Sequence, residues 1–229
     1  MARPRNDELR QTILDAAFAQ FLTKGYANTR LRDIAEACGI SMSLLQYYYP
    51  KRVNLVVDIF YDLILQTFEF IARELLSGFE ARLGRDADFA NMVMFYRIYY
   101  GILHANNDRL LRLYSVVLFD ATLLKSSTDL ALTHESPAAS VAVMPQQSRR
   151  TRLGAYAING MLAQFVAIYF DSAPGEDLEK LLDEAIHGYF SFTDVEPDRI
   201  QAVFACVDEA LADLRVEAFA RAYLEGLPK

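Results

Sequence analysis

Residues Leu31 to Arg52 read LRDIAEACGISMSLLQYYYPKR, and this stretch decides the fold. Two helices that cross closely need a small residue at the crossing, and Ala35 supplies one. Gly39 follows four residues later and can take the positive φ of a tight turn. Ile40 and Leu45 are apolar anchors after the turn. The remaining face of the second helix is Met42, Ser43, Gln46 and Tyr47, a short, mixed surface able to hydrogen-bond. Such a helix, laid in a major groove, presents these residues to base edges and phosphates. The Ala-x-x-x-Gly turn occurs in many helical proteins. The helix before it and the tyrosine-proline-basic tail after it make it specific.

Upstream, Glu8–Lys24 places Leu9, Ile13, Ala16, Ala17 and Phe21 on one face at helical spacing. Gly25 can close that helix, Thr29 is the expected N-cap of the next, and Ser41 that of a third running to about Tyr48. Downstream, Val53–Leu76 reads as one long helix ended by Gly78 and Gly84. Further helices are expected over about 87–105, 108–125, 146–171, 176–192 and 197–225, with Ser126–Gln147 irregular. The expectation is an all-α protein: an N-terminal three-helix helix-turn-helix DNA-binding domain over 1–52, then a helical-bundle effector-binding and dimerisation domain over 53–229.

Charge supports a DNA partner despite a net −7 over 229 residues. Residues 1–55 hold eight Lys and Arg against five Asp and Glu, a local +3, and the remainder holds 15 against 25, or −10. A basic head on an acidic body suits a protein that touches phosphate with one end. The start, MARPRNDELR, is polar with no apolar run behind it, so no secretory signal is expected. The most apolar stretch, Leu110–Leu124, is too short to span a bilayer. Cys38 and Cys206 show neither metal-ligand nor disulfide-framework spacing, and Cys38 reads as a small apolar residue of the turn. A cytoplasmic protein with no membrane contact, no metal and no cofactor is expected. No nucleophile–base pair and no phosphate-cradling glycine loop suggests an enzyme. The alternatives are a helical enzyme or a helical protein-interaction adaptor without DNA binding.

The head resembles the TetR family of bacterial repressors. Phe21, Gly25, Tyr26, Thr29, Ile34, Ala35, Gly39, Ile40, Ser41, Leu45, Tyr48, Tyr49, Arg52 and Leu55 stand where that pattern has its characteristic residues. Gln46 departs from the family's usual aromatic, and Arg52 from its usual Lys. The resemblance implies phosphate contacts from Thr29 and Ser41, phosphate clamps at Arg30, Lys51 and Arg52, and groove readers at Met42, Ser43, Gln46 and Tyr47. Gln46 can pair with adenine. Tyr48 and Tyr49 pack the small domain, and Arg3 and Arg5 form a minor-groove arm.

For the body, the resemblance implies a homodimer that binds a small-molecule effector. Tyrosines are costly to bury without hydroxyl partners, and an apolar pocket with a few polar groups is how small-molecule sites are built. Tyr96, Tyr100, His104, Tyr114 and Phe165 are the candidate ligand contacts, for a hydrophobic or aromatic effector. Most apolar residues of these segments must nevertheless be core. Ala155–Phe170, rich in small residues, resembles with Leu178–Phe190 the family's two-helix dimer face; an internal helix contact is the alternative. The reading is a repressor released from a palindromic operator by its effector.

Overall fold

The computed structural model describes residues 6–105, 108–133, 149–171, 177–190 and 195–226. Among these there are helices and turns and no strand. Arg3, Arg5 and the greater part of the expected irregular stretch, 134–147, lie outside the described residues.

The head is α1 (Asp7–Lys24), α2 (Leu31–Ala37) and α3 (Met42–Tyr48). Asn6 caps α1, its side chain accepting from the N–H groups of Glu8 and Leu9 at 2.9 and 3.3 Å. Gly25, at φ 83°, ends it. The face that goes inward is Ile13, Leu14, Ala17, Phe18 and Phe21, with Leu9 and Ala16 half-buried. The cap of α2 is Arg30 rather than Thr29. Its backbone N–H donates to the Asp33 carboxylate at 3.2 Å, and Thr29 lies just outside the helix.

The turn into α3 is a Schellman motif. The Ile40 N–H donates to Ala35 O at 3.0 Å and the Gly39 N–H to Glu36 O at 3.1 Å, with Gly39 at φ 64°. Only a residue without Cβ takes that φ cheaply. Ser41 then caps α3, its hydroxyl accepting from Leu44 N–H at 3.2 Å.

The connecting helix α4 (Arg52–Glu74) is followed by α5 (Leu76–Leu83), a single 3-10 turn, and α6 (Ala87–His104). The rest of the body is α7 (Arg109–Leu118), α8 (Ala121–Thr133), α9 (Arg149–Asp171), α10 (Leu178–Phe190), α11 (Pro197–Leu211) and α12 (Leu214–Glu225). Two helices expected to be continuous are each cut by an aspartate. Asp120 accepts from the N–H groups of Thr122 and Leu123 at 2.9 and 3.0 Å, starting α8. Asp213 accepts from Arg215 N–H at 2.8 Å, starting α12. A carboxylate that satisfies free N–H groups competes with helix continuation.

The core runs unbroken from head to body, with α4 as its spine. Leu55, Val56 and Ile59 are buried in the first turns of α4, where it packs on α1. Further along, Phe60 meets Tyr114 at 4.8 Å, Phe68 stacks on Phe95 at 4.2 Å and Phe70 on Phe219 at 4.5 Å. The most central helix is α6, with Tyr99 and Tyr100 each 2% exposed.

The stretch Leu153–Asp171, which the sequence reading did not single out for its hydropathy, is long and apolar enough to cross a membrane, with a mean hydropathy of 1.4. In the fold, Ala155, Ile158, Leu162, Ala163 and Val166 of α9 are core, while Leu153 and Ile168 are exposed.

Candidate nucleic-acid interface and effector site

The face of α3 is built by contrast with its anchors. Leu45 is fully buried and Tyr48 nearly so. The Tyr48 hydroxyl accepts from Asn6 N–H at 2.9 Å, tying the end of α3 to the start of α1. At about 100° per residue, burying Leu45 turns Ser43 and Tyr47 straight outward, with Gln46 on one flank and Leu44 on the other. Met42, Ser43, Leu44, Gln46 and Tyr47 are all exposed. Arg30, the residue before α2, and Lys51, the residue before α4, are exposed and have no side-chain hydrogen bond or ion pair among the described residues.

Two residues assigned to phosphate by resemblance are turned inward. Thr29 is fully buried, its hydroxyl donating to Gly25 O at 2.9 Å, with Gln20 O at 3.2 Å. Arg52 is half-buried. Its guanidinium donates to Thr29 O at 2.5 Å and Ala27 O at 3.4 Å, and lies over the Tyr26 ring at 4.0 Å. Both lock the loop between α1 and α2, because a tight loop leaves carbonyls that need donors. Ser41 stays exposed, although its hydroxyl already serves the α3 cap and meets Ser43 Oγ at 3.1 Å.

A hub that the sequence reading missed couples head to body. Asp58 on α4 receives Arg10 of α1 at 2.8 Å and the Tyr49 hydroxyl at 2.9 Å. Arg10 lies 48 residues from Asp58 and Tyr49 only 9, and no local pattern marks the three. Cys38 is half-buried with Sγ 3.8 Å from Thr12 O, and burial pushes its thiol pKa up, which keeps it protonated and unreactive.

In the body the structure brings Tyr96, Tyr100 and Tyr114 together. Tyr99 joins them, its ring 5.6 Å from Tyr100 and 5.5 Å from Tyr114. The Tyr96 hydroxyl donates to Asn159 Oδ1 at 3.2 Å, and Asn159 Nδ2 donates to Thr128 Oγ1 at 3.2 Å, a chain that joins α6, α9 and α8. Asn159 and Thr128 were not foreseen: Asn159 stands among apolar residues and Thr128 in the polar run Lys125–Asp129, and the need of Tyr96 for a partner is the only signal. Burial pushes all four tyrosine pKa values up, so the hydroxyls stay protonated donors.

His104 turns elsewhere: its Nδ1 is 2.5 Å from Asp108 Oδ1, and Tyr169 donates to the other carboxylate oxygen at 2.9 Å. Tyr100 and His104 do share a cavity of about 290 Å³ with Arg97, Leu178, Leu182 and Asp183. Phe165 is half-buried on α9 against the core. Among the described residues no group of three or more His, Cys, Asp or Glu could hold a metal ion.

A helix-turn-helix head with a free outward face, joined by one helix to a larger helical body, defines the class of DNA-binding regulators. The sequence profile of the tetR family of bacterial regulatory proteins matches residues 13–59, so the head is a DNA-binding domain of the TetR type. Regulators of this family are non-enzymatic.

Two solved structures are similar. One is a TetR-family regulator from Streptomyces coelicolor A3, at 18% identity and TM-score 0.50, the match covering 83% of this chain and 97% of that one. The other is a putative TetR-family transcriptional regulator from Mesorhizobium loti MAFF303099, at 17% identity and TM-score 0.43, covering 82% and 98%. No curated protein sequence matches.

Proposed function

We propose that this regulator is a cytoplasmic homodimeric repressor that leaves a palindromic operator when its body binds a small hydrophobic or aromatic effector. The observation that carries the DNA part is the exposed face of α3 in a head that also exposes the uncommitted cations Arg30 and Lys51. Met42, Ser43, Gln46 and Tyr47 read the groove, Ser41, Arg30 and Lys51 hold phosphates, and Thr29 and Arg52 fix the loop that aims them. The effector part is supported by the tyrosine cluster, whose hydroxyls and Asn159 give polar groups inside apolar walls. Dimerisation is supported by α9, which packs on α10 yet leaves Leu153 55% and Ile168 48% exposed. An apolar helix face of this kind is covered in an isologous four-helix contact, which also accounts for its hydropathy without a membrane. An effector that favours a different head spacing weakens operator binding by a coupling of about 1–3 kcal/mol.

The test is selection of binding sites from a random duplex pool at two salt concentrations. An enriched palindrome, with affinity falling steeply as salt rises, is the expected result. A pool without enrichment, from protein refolded free of co-purified ligand, overturns the reading. On the selected operator, aromatic compounds that raise the melting temperature should weaken binding; unchanged affinity with every such compound removes induction and leaves DNA binding standing.

A further inference from the structure

The chemistry of the α3 face goes beyond a general capacity to touch bases. Residues 42–48 read MSLLQYY and contain no charged side chain. Arg or Lys on guanine O6 and N7 is the commonest specific major-groove contact, and a carboxylate suits the amino group of cytosine. The reading helix offers neither. The exposed cations Arg30 and Lys51 lie outside α3, at the starts of α2 and α4.

The face does offer apolar surface. Met42, Leu44 and Tyr47 are 36%, 38% and 46% exposed. They are three of the seven large exposed hydrophobics among the described residues, gathered within six positions. Leu44 is not needed for packing, because Leu45 and Tyr48 anchor α3. In the major groove one base carries an apolar group: thymine, through its C5-methyl. Gln46, exposed on the flank opposite Leu44 and one turn after Met42, has an amide that fits adenine N6 and N7.

We infer that α3 reads A·T pairs, Leu44 packing on thymine C5-methyl groups from one flank and Gln46, with Met42 one turn before it, taking the adenine edge from the other, so that each half-site is A·T-rich where α3 enters. This rests on the DNA reading above. Leu44 is then a specificity residue in its own right.

The experiment uses the full-length protein and its selected operator, with thymines under α3 replaced by deoxyuridine, which removes the methyl alone. Each contacted methyl should be worth roughly fourfold in affinity, on the order of the 0.8 kcal/mol gained when one such group is buried. Leu44→Ala should weaken binding to the thymine operator by a similar factor and bind thymine and uracil operators equally well. Leu44→Met should keep the discrimination. Equal affinity of the wild-type protein for both operators, or a selected half-site that is G·C-rich under α3, overturns the inference while leaving DNA binding intact. Absence of salt-dependent binding to any duplex overturns the DNA reading itself, and this inference with it.

Discussion

Head and body are stabilised by interactions of different range. In the head, polar groups act mostly on the backbone, from neighbours in one turn up to the 42 residues between Asn6 and Tyr48. Thr29 bonds carbonyls at Gly25 and Gln20, Ser41 serves Leu44 N–H, and Arg52 reaches back to Thr29 and Ala27. In the body they act across the sequence and on one another. Arg97 of α6 makes a two-pronged ion pair with Asp183 of α10 at 3.0 and 2.9 Å and meets Asp208 of α11. Arg199 of α11 holds Asp86 before α6, and Arg215 of α12 reaches Glu74 O at 2.9 Å. Local caps fix a backbone shape, which is what a reading head must present to DNA. Long-range pairs fix how helices lie against each other, and a body that changes state on binding a ligand must alter such relations.

The sharpest way to break this contrast is Arg97→Ala. The guanidinium side chain is 15% exposed, and its removal leaves the Asp183 and Asp208 carboxylates facing each other. Both keep access to water, so the cost is below that of a fully buried pair, at about 2 kcal/mol. Urea unfolding should show the midpoint falling with the slope unchanged. If the head is locally stabilised, the tie from Asn6 to Tyr48 and the α3 cap should keep their amide-exchange protection under native conditions. A variant as stable as wild type would mean that the apolar contacts of α10 and α11 on α6 suffice without Arg97.

The same contrast explains what could be read in advance. The head was legible because its determinants are neighbours in sequence: Ala35, Gly39 and Ile40 meet in one Schellman turn, and Ser41 caps four residues before the anchor Leu45. The sense of each side chain was less legible. Thr29 and Arg52 carry groups suited to phosphate, yet the carbonyls of the α1–α2 loop claim them first. Leu44 was passed over because its type suggests core, although burial of Leu45 turns its neighbour outward. In the body, periodicity located the helices but not their breaks, since Asp120 and Asp213 match the pattern of an exposed helical position and reveal themselves as caps only through N–H groups they accept from. Arg97 and Asn159, and Asp58 in its pairing with Arg10, take partners that lie dozens of residues away or more, which no window along the sequence contains.

Arg52→Lys sharpens the comparison from the side of the head. A phosphate clamp would tolerate the exchange, because the charge is kept. A lysine cannot reproduce the planar group that stacks on Tyr26 while donating to two carbonyls. We expect a loss of about 1–2 kcal/mol in stability, from the lost hydrogen bonds and stacking, and weaker operator binding than for the Lys51→Arg control. The slope of log affinity against log salt should stay near that of wild type, since no phosphate contact is lost. Unchanged stability together with unchanged operator affinity would return Arg52 to the DNA interface, because a phosphate clamp keeps its charge in this exchange.

The smallest expected effect is the response of the body to acid through Asp86 and Arg199. The Arg199 guanidinium holds the Asp86 carboxyl below its ordinary value; burial opposes this but does not win. A carboxylate whose folded pKa is depressed adds stability above its unfolded value, near 3.9, and that contribution fades as pH falls through the folded value. The pair should therefore act in full at neutral pH and weaken below about pH 4, with a total of about 1 kcal/mol. Asp86→Asn should lower stability at pH 7 and flatten this part of the acid limb, measured by urea unfolding at a series of pH values. In the head, Asp58 offers a direct control, since it too takes an arginine, Arg10, but adds the Tyr49 hydroxyl and spans a shorter stretch of chain. If Asp86→Asn leaves the pH profile untouched, the long-range pairs of the body set helix geometry without contributing measurable stability. The difference between the two regions would then lie in which shape each fixes, not in how strongly it is fixed.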